Sequence, residues 1–188
     1  LVLDVYSGLS LDHYSMFQDD CFLEPPSEIF LTDSSDSNLA SFLKSYNLTG
    51  IEAISLDKLK YEPPAHYIIL SSSLRNQPSR VKIRDLMRNY GHHEISLISR
   101  NASVYSPIPN GCLIADGVYV GPEANLTEGN ILLFNSVISR LSTLKRDTFI
   151  SANVTVTAHK SIGACSFIGA GATIDANIGS LCVVGSGS

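Results

Sequence analysis

The stretch ILLFNSVISRLSTLKRDTFISANVTVTAHKSIG (131–163) carries an aliphatic residue at every sixth position, and this repeat decides the fold of the second half of the chain. It extends without exception over twelve residues, from Ile108 to Ile174. An amphipathic helix repeats about every 3.6 residues and a half-exposed strand about every two, so neither explains the observed period. A coil whose straight sides are each one hexapeptide long does explain it. The sequence therefore predicts a solenoid.

Three hexads make one coil, so the aliphatic side chains of successive coils are predicted to stack into ladders inside the solenoid. Glycine follows the aliphatic at Gly121, Gly163 and Gly169, where it permits a tight corner or the close approach of a ligand. Beyond Ile174 the repeat resumes at Ile178, after four residues instead of six. A tight turn is predicted to absorb the two missing residues. The position four residues after the aliphatic is often small, which predicts that it also faces the narrow interior. Its small members are Cys112, Ala124, Ser136, Ser142, Thr148, Ser166 and Ala172.

Residues 1–103 lack the hexad and alternate short apolar runs with helical stretches, which is the pattern of a small α/β unit. The predicted strands over residues 66–73 and 93–99, with the helix over residues 79–91 between them, form one βαβ crossover, for which parallel pairing is expected. In chain order the predicted elements are the end of a helix over LVLDVYSGLSL (1–11), strands over EIFLTD (28–33) and HYIILSSS (66–73), a helix over SRVKIRDLMRNYG (79–91) and a strand over HEISLIS (93–99).

The composition excludes several classes of function. The net charge of −5 at pH 7 argues against general attraction to nucleic acid or acidic membranes. No run approaches the ~20 apolar residues that span a bilayer, and the N-terminus lacks the basic and apolar regions of a secretory signal. The cysteines Cys21, Cys112, Cys165 and Cys182 show no spacing typical of a zinc site. We expect a soluble cytoplasmic protein without a metal.

Two groups of residues are candidates for anion or nucleotide binding. In parallel sheets ligands bind at the carboxyl ends of strands, which here lie near Asp33 and the loop before Arg80. A carboxylate there can bind ribose hydroxyls and an arginine can pair with a diphosphate, although Asp33 could instead cap a turn and Arg80 could be a solvated helix residue. The solenoid's basic residues are clustered and could face an anion or only solvent. They are Arg140, Lys145, Arg146 and Lys160.

These features together resemble a known family. The solenoid resembles the left-handed β-helix of hexapeptide-repeat acyltransferases, and the whole chain resembles the group of sialic acid O-acetyltransferases and bacillosamine-pathway UDP-4-amino-sugar N-acetyltransferases. The resemblance places a glycine-rich nucleotide-binding turn before Leu1. The matching stretches are LVLDVYSGL, similar to the helix after that turn, EIFLTD, similar to a strand ending in paired aspartates, NQPSR, similar to the family's Asn-x-x-x-Arg, and ISLISRNASV, similar to the strand entering the β-helix.

The resemblance implies a fold of the α/β plus β class, with a small Rossmann-like domain over residues 1–100 and a left-handed parallel β-helix over residues 101–188. It implies a homotrimer with acetyl-CoA bound between adjacent β-helices. The acceptor would be a nucleotide-linked amino sugar or a sialic acid-like sugar, used in bacterial surface glycan biosynthesis. Asp33 and Asn76 would contact this acceptor, with Arg80 as a further candidate.

The family's catalytic histidine lies two residues after an in-phase aliphatic and before an acidic residue, and Arg140 and Leu141 occupy these positions here. Arginine stays protonated in proteins and cannot act as a base. His159, the only histidine of the solenoid, lies one coil later and one residue further round the corner, so it is the candidate base. Ala158 replaces a glycine whose amide binds the thioester carbonyl in the family, and it retains the N–H. The alternative is that His159 is an exposed corner residue or contacts only the cofactor.

The resemblance also implies a cofactor site. Lys145, Arg146 and Lys160 suit the phosphates of acetyl-CoA. The backbone positions near the pantetheine arm are Gly163, Ala170 and Ser186. Two functions are left open. The first is an acetyl-CoA-dependent acetyltransferase, and the second is a non-catalytic homologue that binds sugar nucleotides or acyl-CoA after losing the usual histidine. A different acyl donor is also open.

Overall fold

The structure is a computed structural model of the chain, and it describes residues 2–4, 29–31, 60–61, 64, 66–69 and 77–188. The chain divides into two compact units, residues 1–95 and 96–188. The N-terminal unit contains β1 (Val2–Asp4), β2 (Ile29–Leu31), β3 (His66–Ile69), α1 (Gln77–Asn89) and β4 (His93–Glu94). The C-terminal unit contains β5 (Leu97–Ile98), β6 (Ser103–Val104), β7 (Leu113–Ile114), β8 (Tyr119–Val120), β9 (Asn125–Leu126), β10 (Ile131–Leu132), β11 (Val137–Ile138), β12 (Thr143–Leu144), β13 (Phe149–Ile150), β14 (Thr155–Val156), β15 (Ser161–Ile162), β16 (Phe167–Ile168), β17 (Thr173–Ile174) and β18 (Val183–Val184).

The strands of the N-terminal unit form one parallel sheet in the order β2-β1-β3-β4. The predicted βαβ crossover is present as β3, α1 and β4. Helix α1 ends before Gly91, whose φ of 82° allows the chain to turn back. The Arg84 guanidinium on α1 donates to the Glu94 carboxylate at 2.5 Å, and both side chains are buried. This ion pair fixes the helix against the edge strand β4.

The interpretation of residues 1–11 as the end of a helix is wrong for Val2–Asp4. These residues form β1, which pairs with β2 on one side and β3 on the other. A strand buried on both faces reads as a short apolar run, and such a run cannot be distinguished from a helix segment by its period. The similarity of this stretch to a helix that follows a glycine-rich turn is therefore lost for these residues.

The predicted strand over residues 93–99 is two strands. β4 belongs to the N-terminal sheet and β5 to the solenoid, and the boundary between the two compact units falls between Ile95 and Ser96. The solenoid strands therefore begin at Leu97, earlier than the first residue of the uninterrupted hexad. The apolar pattern HEISLIS continues through this change of sheet, so the pattern alone did not reveal the break.

The C-terminal unit is a parallel β-solenoid, and its coil topology fits a left-handed β-helix. The first sheet has the order β18-β16-β13-β10-β7-β5, the second β17-β14-β11-β8-β6 and the third β15-β12-β9. In full coils paired residues are eighteen apart, as for Ile131 and Phe149. Three edges join the sheets: the first edge leads from the first to the second sheet, the second edge from the second to the third, and the third edge back to the first.

The predicted ladder forms the core. Eleven of its twelve aliphatics are buried, from Ile114 to Ile174, and only Ile108 is half-buried. The seven small residues at the neighbouring position are buried as well. Among the hydroxyl-bearing members, Ser142 donates to Thr157 O at 2.9 Å, Ser166 to Gly179 O at 2.8 Å and Thr148 to Lys145 O at 2.7 Å. These bonds satisfy three buried hydroxyls, whereas Ser136 Oγ has no hydrogen-bond partner among the described residues.

The glycines that follow the aliphatic are required by packing between coils. A β-carbon at Gly163 would lie 2.3 Å from Ser180 N, and one at Gly121 would lie 2.8 Å from Arg140 N. Neither glycine has a positive φ, so the conformational freedom of glycine is not what these positions need. The sequence left open a tight corner and the close approach of a ligand; the close approach that the structure shows is by the backbone of the next coil of the same chain.

The first coil is two residues short. Val104 pairs with Val120, sixteen residues on, instead of the usual eighteen. At the third edge the usual spacing has returned, because Gly129 N donates to Asn110 O at 3.1 Å, the same nineteen-residue step that joins the third-edge corners of later coils. The missing residues therefore belong to the second edge, just before Pro107.

The last coil is short at the same edge. Ile178 forms a bridge with Ile162, sixteen residues earlier, and β18 pairs with β16 at the same offset. β17 still pairs with β14 at eighteen residues, so the loss follows Ile174. The tight turn that the sequence predicted at this point is confirmed.

Candidate functional site

The second edge carries the candidate base. It has three full corners, residues 121–124, 139–142 and 157–160, and the third residue of each is left-handed: Glu123, Leu141 and His159 have φ of 58°, 60° and 63°. His159 N donates to Arg140 O at 3.3 Å, and Leu141 N donates to Pro122 O at 3.2 Å. Equivalent positions therefore stack along the edge at a spacing of about 4.8 Å. His159 lies over Leu141, and Ala158 lies over Arg140.

His159 is exposed, and the corner above it is one of the shortened ones. Arg140 is also exposed, and Leu141 is 37% exposed. Ala158 N donates to no backbone carbonyl within residues 77–188, so this N–H is available to an oxyanion. The histidine and the free amide are neighbours on one solvent-facing corner. This pair can accept a proton and stabilise a developing negative charge.

Lys160 is held by an ion pair beside this corner. Its ammonium lies 3.4 Å from an Asp175 carboxylate oxygen, and the Thr157 hydroxyl donates to that oxygen at 2.8 Å. The hydrogen bond from Thr157 and the charge and hydrogen bond of Lys160 lower the pKa of Asp175 below its usual 3.8. The carboxylate is therefore ionised at neutral pH. Because Lys160 already has an anionic partner, it is a weaker phosphate ligand than the sequence suggested.

A groove of about 750 Å³ runs along the third edge. Lys145 and Arg146 lie on its wall and are exposed, with Glu128 on the same wall. Leu126 and Ala164 add apolar surface. Two adjacent cations in an open groove can bind a phosphate or diphosphate, and the guanidinium can do so with two hydrogen bonds.

The outer face of the third sheet connects the second and third edges. Its outward residues are short and polar: Asn125, Thr143 and Ser161. Each strand of this sheet is two residues long, so only the length of one short strand separates the two edges. A flexible chain could cross this face without meeting a bulky side chain.

The predicted backbone contacts for pantetheine divide between two edges. Gly163 lies on the third edge, beside the basic groove. Ala170 and Ser186 lie on the first edge, where Gly171 N and Gly187 N join successive coils by hydrogen bonds to Ala152 O and Ala170 O, 2.9 Å each. One chain therefore does not bring all of the predicted cofactor residues together.

The predicted acceptor residues lie in the N-terminal unit. Asp33 and Asn76 fall outside the described residues. Arg80 lies on α1 and is fully buried, so the alternative of a solvated helix residue is wrong. A buried guanidinium is expected to be engaged by the unit that holds it.

Ser99, at the entry to the solenoid, is held by side-chain and backbone partners. It is 3% exposed, its hydroxyl donates to the Asp116 carboxylate, and it accepts from Asn101 N at 3.0 Å. These bonds close the first corner of the solenoid.

A second groove lies on the second edge and was not identified from the sequence. It has a volume of about 450 Å³, and its walls include Tyr105, Pro107, Pro109 and Glu123. It lies where the first coil lacks two residues. The sequence indicates this groove through Pro107 and Pro109 and through the four-residue step from Val104 to Ile108. This step precedes the uninterrupted six-residue repeat, which begins at Ile108.

The described residues contain no group of three or more histidine, cysteine or acidic side chains arranged to hold a metal ion. In the same part of the chain, no helix combines the length and the apolar character needed to cross a bilayer.

No protein-family model matches this chain, and no curated protein matches it. Solved structures do. A histidine-to-asparagine variant of perosamine N-acetyltransferase from Caulobacter crescentus, in complex with CoA and GDP-perosamine, has a TM-score of 0.77 at 18% identity, covering 99% of this chain and 86% of that one. The acetyltransferase domain of PglB from Neisseria gonorrhoeae, in complex with acetyl coenzyme A, has a TM-score of 0.71 at 21% identity, covering 99% and 88%.

WeeI from Acinetobacter baumannii has a TM-score of 0.61 at 14% identity, covering 95% of this chain and 92% of that one. Each likeness extends over nearly the whole chain, so it includes the order of the two units and not only the solenoid. At these identities the comparisons show a shared fold. The chain shares the fold of these structures, and its parallel β-solenoid is consistent with that of hexapeptide-repeat acyltransferases.

Proposed function

We propose that this protein is an acetyltransferase that transfers the acetyl group of acetyl-CoA to the amine of a nucleotide-linked amino sugar for bacterial surface glycans. The observation that carries the proposal is the exposed pair of His159 and the free N–H of Ala158 on the second edge. The fold shared with acetyltransferases solved with CoA, acetyl-CoA and GDP-perosamine supports the same function. The solenoid in this proposal is a left-handed β-helix, and the N-terminal unit, which ends at Ile95 and not at residue 100, is a Rossmann-like domain.

In the proposed reaction the amine nitrogen attacks the thioester carbonyl and a C–N bond forms. The His159 imidazole takes the proton that the amine loses, and the Ala158 N–H donates to the carbonyl oxygen as it becomes negative. The C–S bond then breaks, and the CoA thiolate leaves and is protonated. Arg140, one coil below, keeps its positive charge and cannot replace the histidine.

The cofactor is proposed to bind with its phosphates at Lys145 and Arg146. Its pantetheine arm then crosses the short polar face of the third sheet and brings the thioester to Ala158. Supporting this path are the two exposed cations of the basic groove and the absence of bulk at Thr143 and Ser161. Replacing both cations, as Lys145→Ala with Arg146→Ala, should raise the KM for acetyl-CoA about tenfold and leave kcat unchanged. Lys82→Ala, an exposed lysine on α1, is the matched control.

The acceptor's nucleotide is proposed to bind to the Rossmann-like domain through Asp33 and Asn76, whereas Arg80, which is fully buried, would act only through the residues around it. We further propose a homotrimer, because Ala170 and Ser186 lie on a different edge from His159 and would reach the cofactor only from a second copy. Light scattering should give the mass of three chains. A monomeric mass would contradict the contribution of a second copy.

The experiment that tests the function combines binding and product detection. Thermal-shift screening should show stabilisation by CoA and acetyl-CoA, since a ligand that binds only the folded state raises its apparent stability. Incubation with acetyl-CoA and GDP-perosamine or UDP-linked amino sugars, followed by mass spectrometry, should show an acetylated sugar nucleotide.

A second candidate function is a non-catalytic homologue that binds a sugar nucleotide or acyl-CoA. The observation that favours it is the exposed Arg140 and Leu141 corner, where the resemblance implies a histidine and an acid. It predicts stabilisation by the ligands without any thioester-dependent product. Detection of the acetylated product would exclude it.

A further inference from the structure

The groove at the shortened first coil is a second binding surface on the edge that carries His159. Its walls include Tyr105, Pro107, Pro109 and Glu123, together with strand β9. We call it the proline groove. The acetyl transfer proposed above uses none of these residues, so the groove needs its own explanation.

The two prolines leave backbone acceptors unpaired. Along the third sheet, N–H groups of one coil donate to carbonyls of the next, as from β9 to β12. In that register the donors to Ala124 O and Leu126 O would be residues 107 and 109, which are proline and have no N–H. No backbone N–H within residues 77–188 donates to either carbonyl. Both residues line the proline groove.

Most of the other polar groups of the groove are acceptors, and the exposed Asn125 side chain adds both a carbonyl acceptor and an amide donor. The Glu123 carboxylate is exposed beside it, and the Ser106 hydroxyl already donates to Gly121 O at 2.8 Å, so this hydroxyl presents its lone pairs. A ligand for this surface must therefore supply several donors. Hydroxyl and amine groups of a sugar do so, and an ammonium group would also pair with the carboxylate.

The aromatic wall favours a sugar in the same way. Tyr105 is 63% exposed, and its ring lies against the Tyr119 ring with centroids 5.6 Å apart and a tilt of 50°. The second ring supports the first and leaves its outer face open to a ligand. The face of an aromatic ring carries negative charge, which attracts the polarised C–H groups and the ammonium of an amino sugar.

We propose that the proline groove binds the pyranose ring of the amino-sugar acceptor, with Tyr105 stacked on the ring and the carbonyls of Ala124 and Leu126 accepting from its hydroxyls. This rests on the proposed function. Glu123 and His159 occupy the same corner position two coils apart, so they are separated by about 10 Å along the edge. The groove therefore holds the sugar on the edge that carries His159, and the acceptor amine must leave Glu123 and advance along this edge before His159 can take its proton.

The test is a titration of the ¹⁵N-labelled full chain with D-glucosamine and, in parallel, with D-glucose. We expect glucosamine to shift the amide signals of residues 121–126 and glucose to shift them less, because it lacks the ammonium. Tyr105→Ala should weaken glucosamine binding about threefold to tenfold. Glu123→Gln should remove the preference for glucosamine over glucose. Tyr61→Ala, an exposed tyrosine of the N-terminal unit, should change neither.

A second variant tests the carbonyls by giving them backbone donors, with Tyr105 and Glu123 unchanged. Pro107→Ala with Pro109→Ala supplies two N–H groups that can pair with Ala124 O and Leu126 O. We expect this double variant to be more resistant to denaturation and to bind glucosamine more weakly. Unchanged glucosamine binding in this variant would show that the carbonyls are not used.

The outcomes separate this proposal from the proposed function. Shifts at residues 121–126 without acetylated product would retain the sugar site and reject the acetyltransferase. Acetylated product without these shifts, and with the same acceptor KM in Tyr105→Ala, would reject the sugar site and retain the enzyme.

Discussion

The interior and the second edge of the solenoid are built by the same coils, yet they follow opposite rules. The interior repeats an aliphatic side chain at every sixth position, and eleven of the twelve ladder members are buried. The second edge carries a different pair in each full corner, Pro122–Glu123, Arg140–Leu141 and Ala158–His159, and loses two residues in each of two shorter coils. The interior therefore supplies the stability and the register of the solenoid. The side chains of the second edge can vary in chemistry because they are exposed.

The largest effect is expected at the edge, from the loss of the imidazole. His159→Asn should lower kcat by about 10²–10⁴-fold, which is the usual contribution of a general base. Asparagine is among the residues that most readily adopt the positive φ of this corner, so stability should be unchanged. Steady-state kinetics with saturating acetyl-CoA measures the effect.

The control for this variant is His93→Asn, an exposed histidine at the start of β4. It should keep the kcat of the unchanged protein. If His159→Asn also kept full kcat, the assignment of the base would be wrong while the proposed transferase activity would stand.

A substitution in the interior should change the free energy of unfolding and not the chemical step. Ile150→Ala removes a fully buried ladder side chain and should lower the free energy of unfolding by about 2–5 kcal/mol. Leu141→Ala, at a 37% exposed corner, should change it by less than about 0.5 kcal/mol. Urea denaturation compares the two. Equal losses would remove the distinction between ladder and edge.

Two glycines of the solenoid differ in the reason that they are glycine: Gly163 packs against the next coil, and Gly171 has a positive φ. Gly163→Ala places a β-carbon 2.3 Å from Ser180 N and should cost about 1–3 kcal/mol, because backbone cannot move aside easily. Gly171→Ala meets nothing within 4 Å but must adopt a φ of 70°, which costs about 1–2 kcal/mol. The midpoint temperature of thermal unfolding should therefore be equal or lower for Gly163→Ala than for Gly171→Ala. A Gly163→Ala protein that was fully stable but bound acetyl-CoA poorly would show that this glycine serves the cofactor.

The smallest effect is expected at Asp175. The Thr157 hydroxyl and Lys160 lower the pKa of Asp175 in the folded protein. Because the folded-state pKa lies below the unfolded value, the stabilisation is present above about pH 3.8 and is lost as the pH falls through the folded-state pKa. Thr157→Val should move the pKa back toward 3.8, as measured by NMR titration of the carboxyl carbon. An unchanged pKa would show that Thr157 does not contribute.

Much of the fold was predictable because a solenoid repeats its physical constraint. Every coil must bury aliphatic side chains at the same places, so one period predicted twelve ladder positions, of which eleven are buried. The N-terminal unit offers no such repetition. The three residues of β1 are too short to show any period, and the pattern from His93 to Ser99 continues across a change of sheet. Those two misreadings share one cause, which is that apolar character does not say which sheet buries a residue.

The candidate site was predictable in composition but not in arrangement. His159 and the basic residues could be selected because few residue types act as bases or bind phosphate. The ion pair that engages Lys160 could not be foreseen, because it joins residues of successive coils at the shortened corner. The proline groove depends on the same kind of local deletion, and a regular repeat count passes over it.

By itself the sequence determined the solenoid, its buried ladder, the small residues beside the ladder and the tight turn after Ile174. These follow from the period, since each coil must hide its apolar side chains from water. Only the tertiary structure decided which edge each functional residue occupies. Two-residue losses shift the register between coils, so the neighbours of His159, Lys160 and Tyr105 depend on how the coils stack.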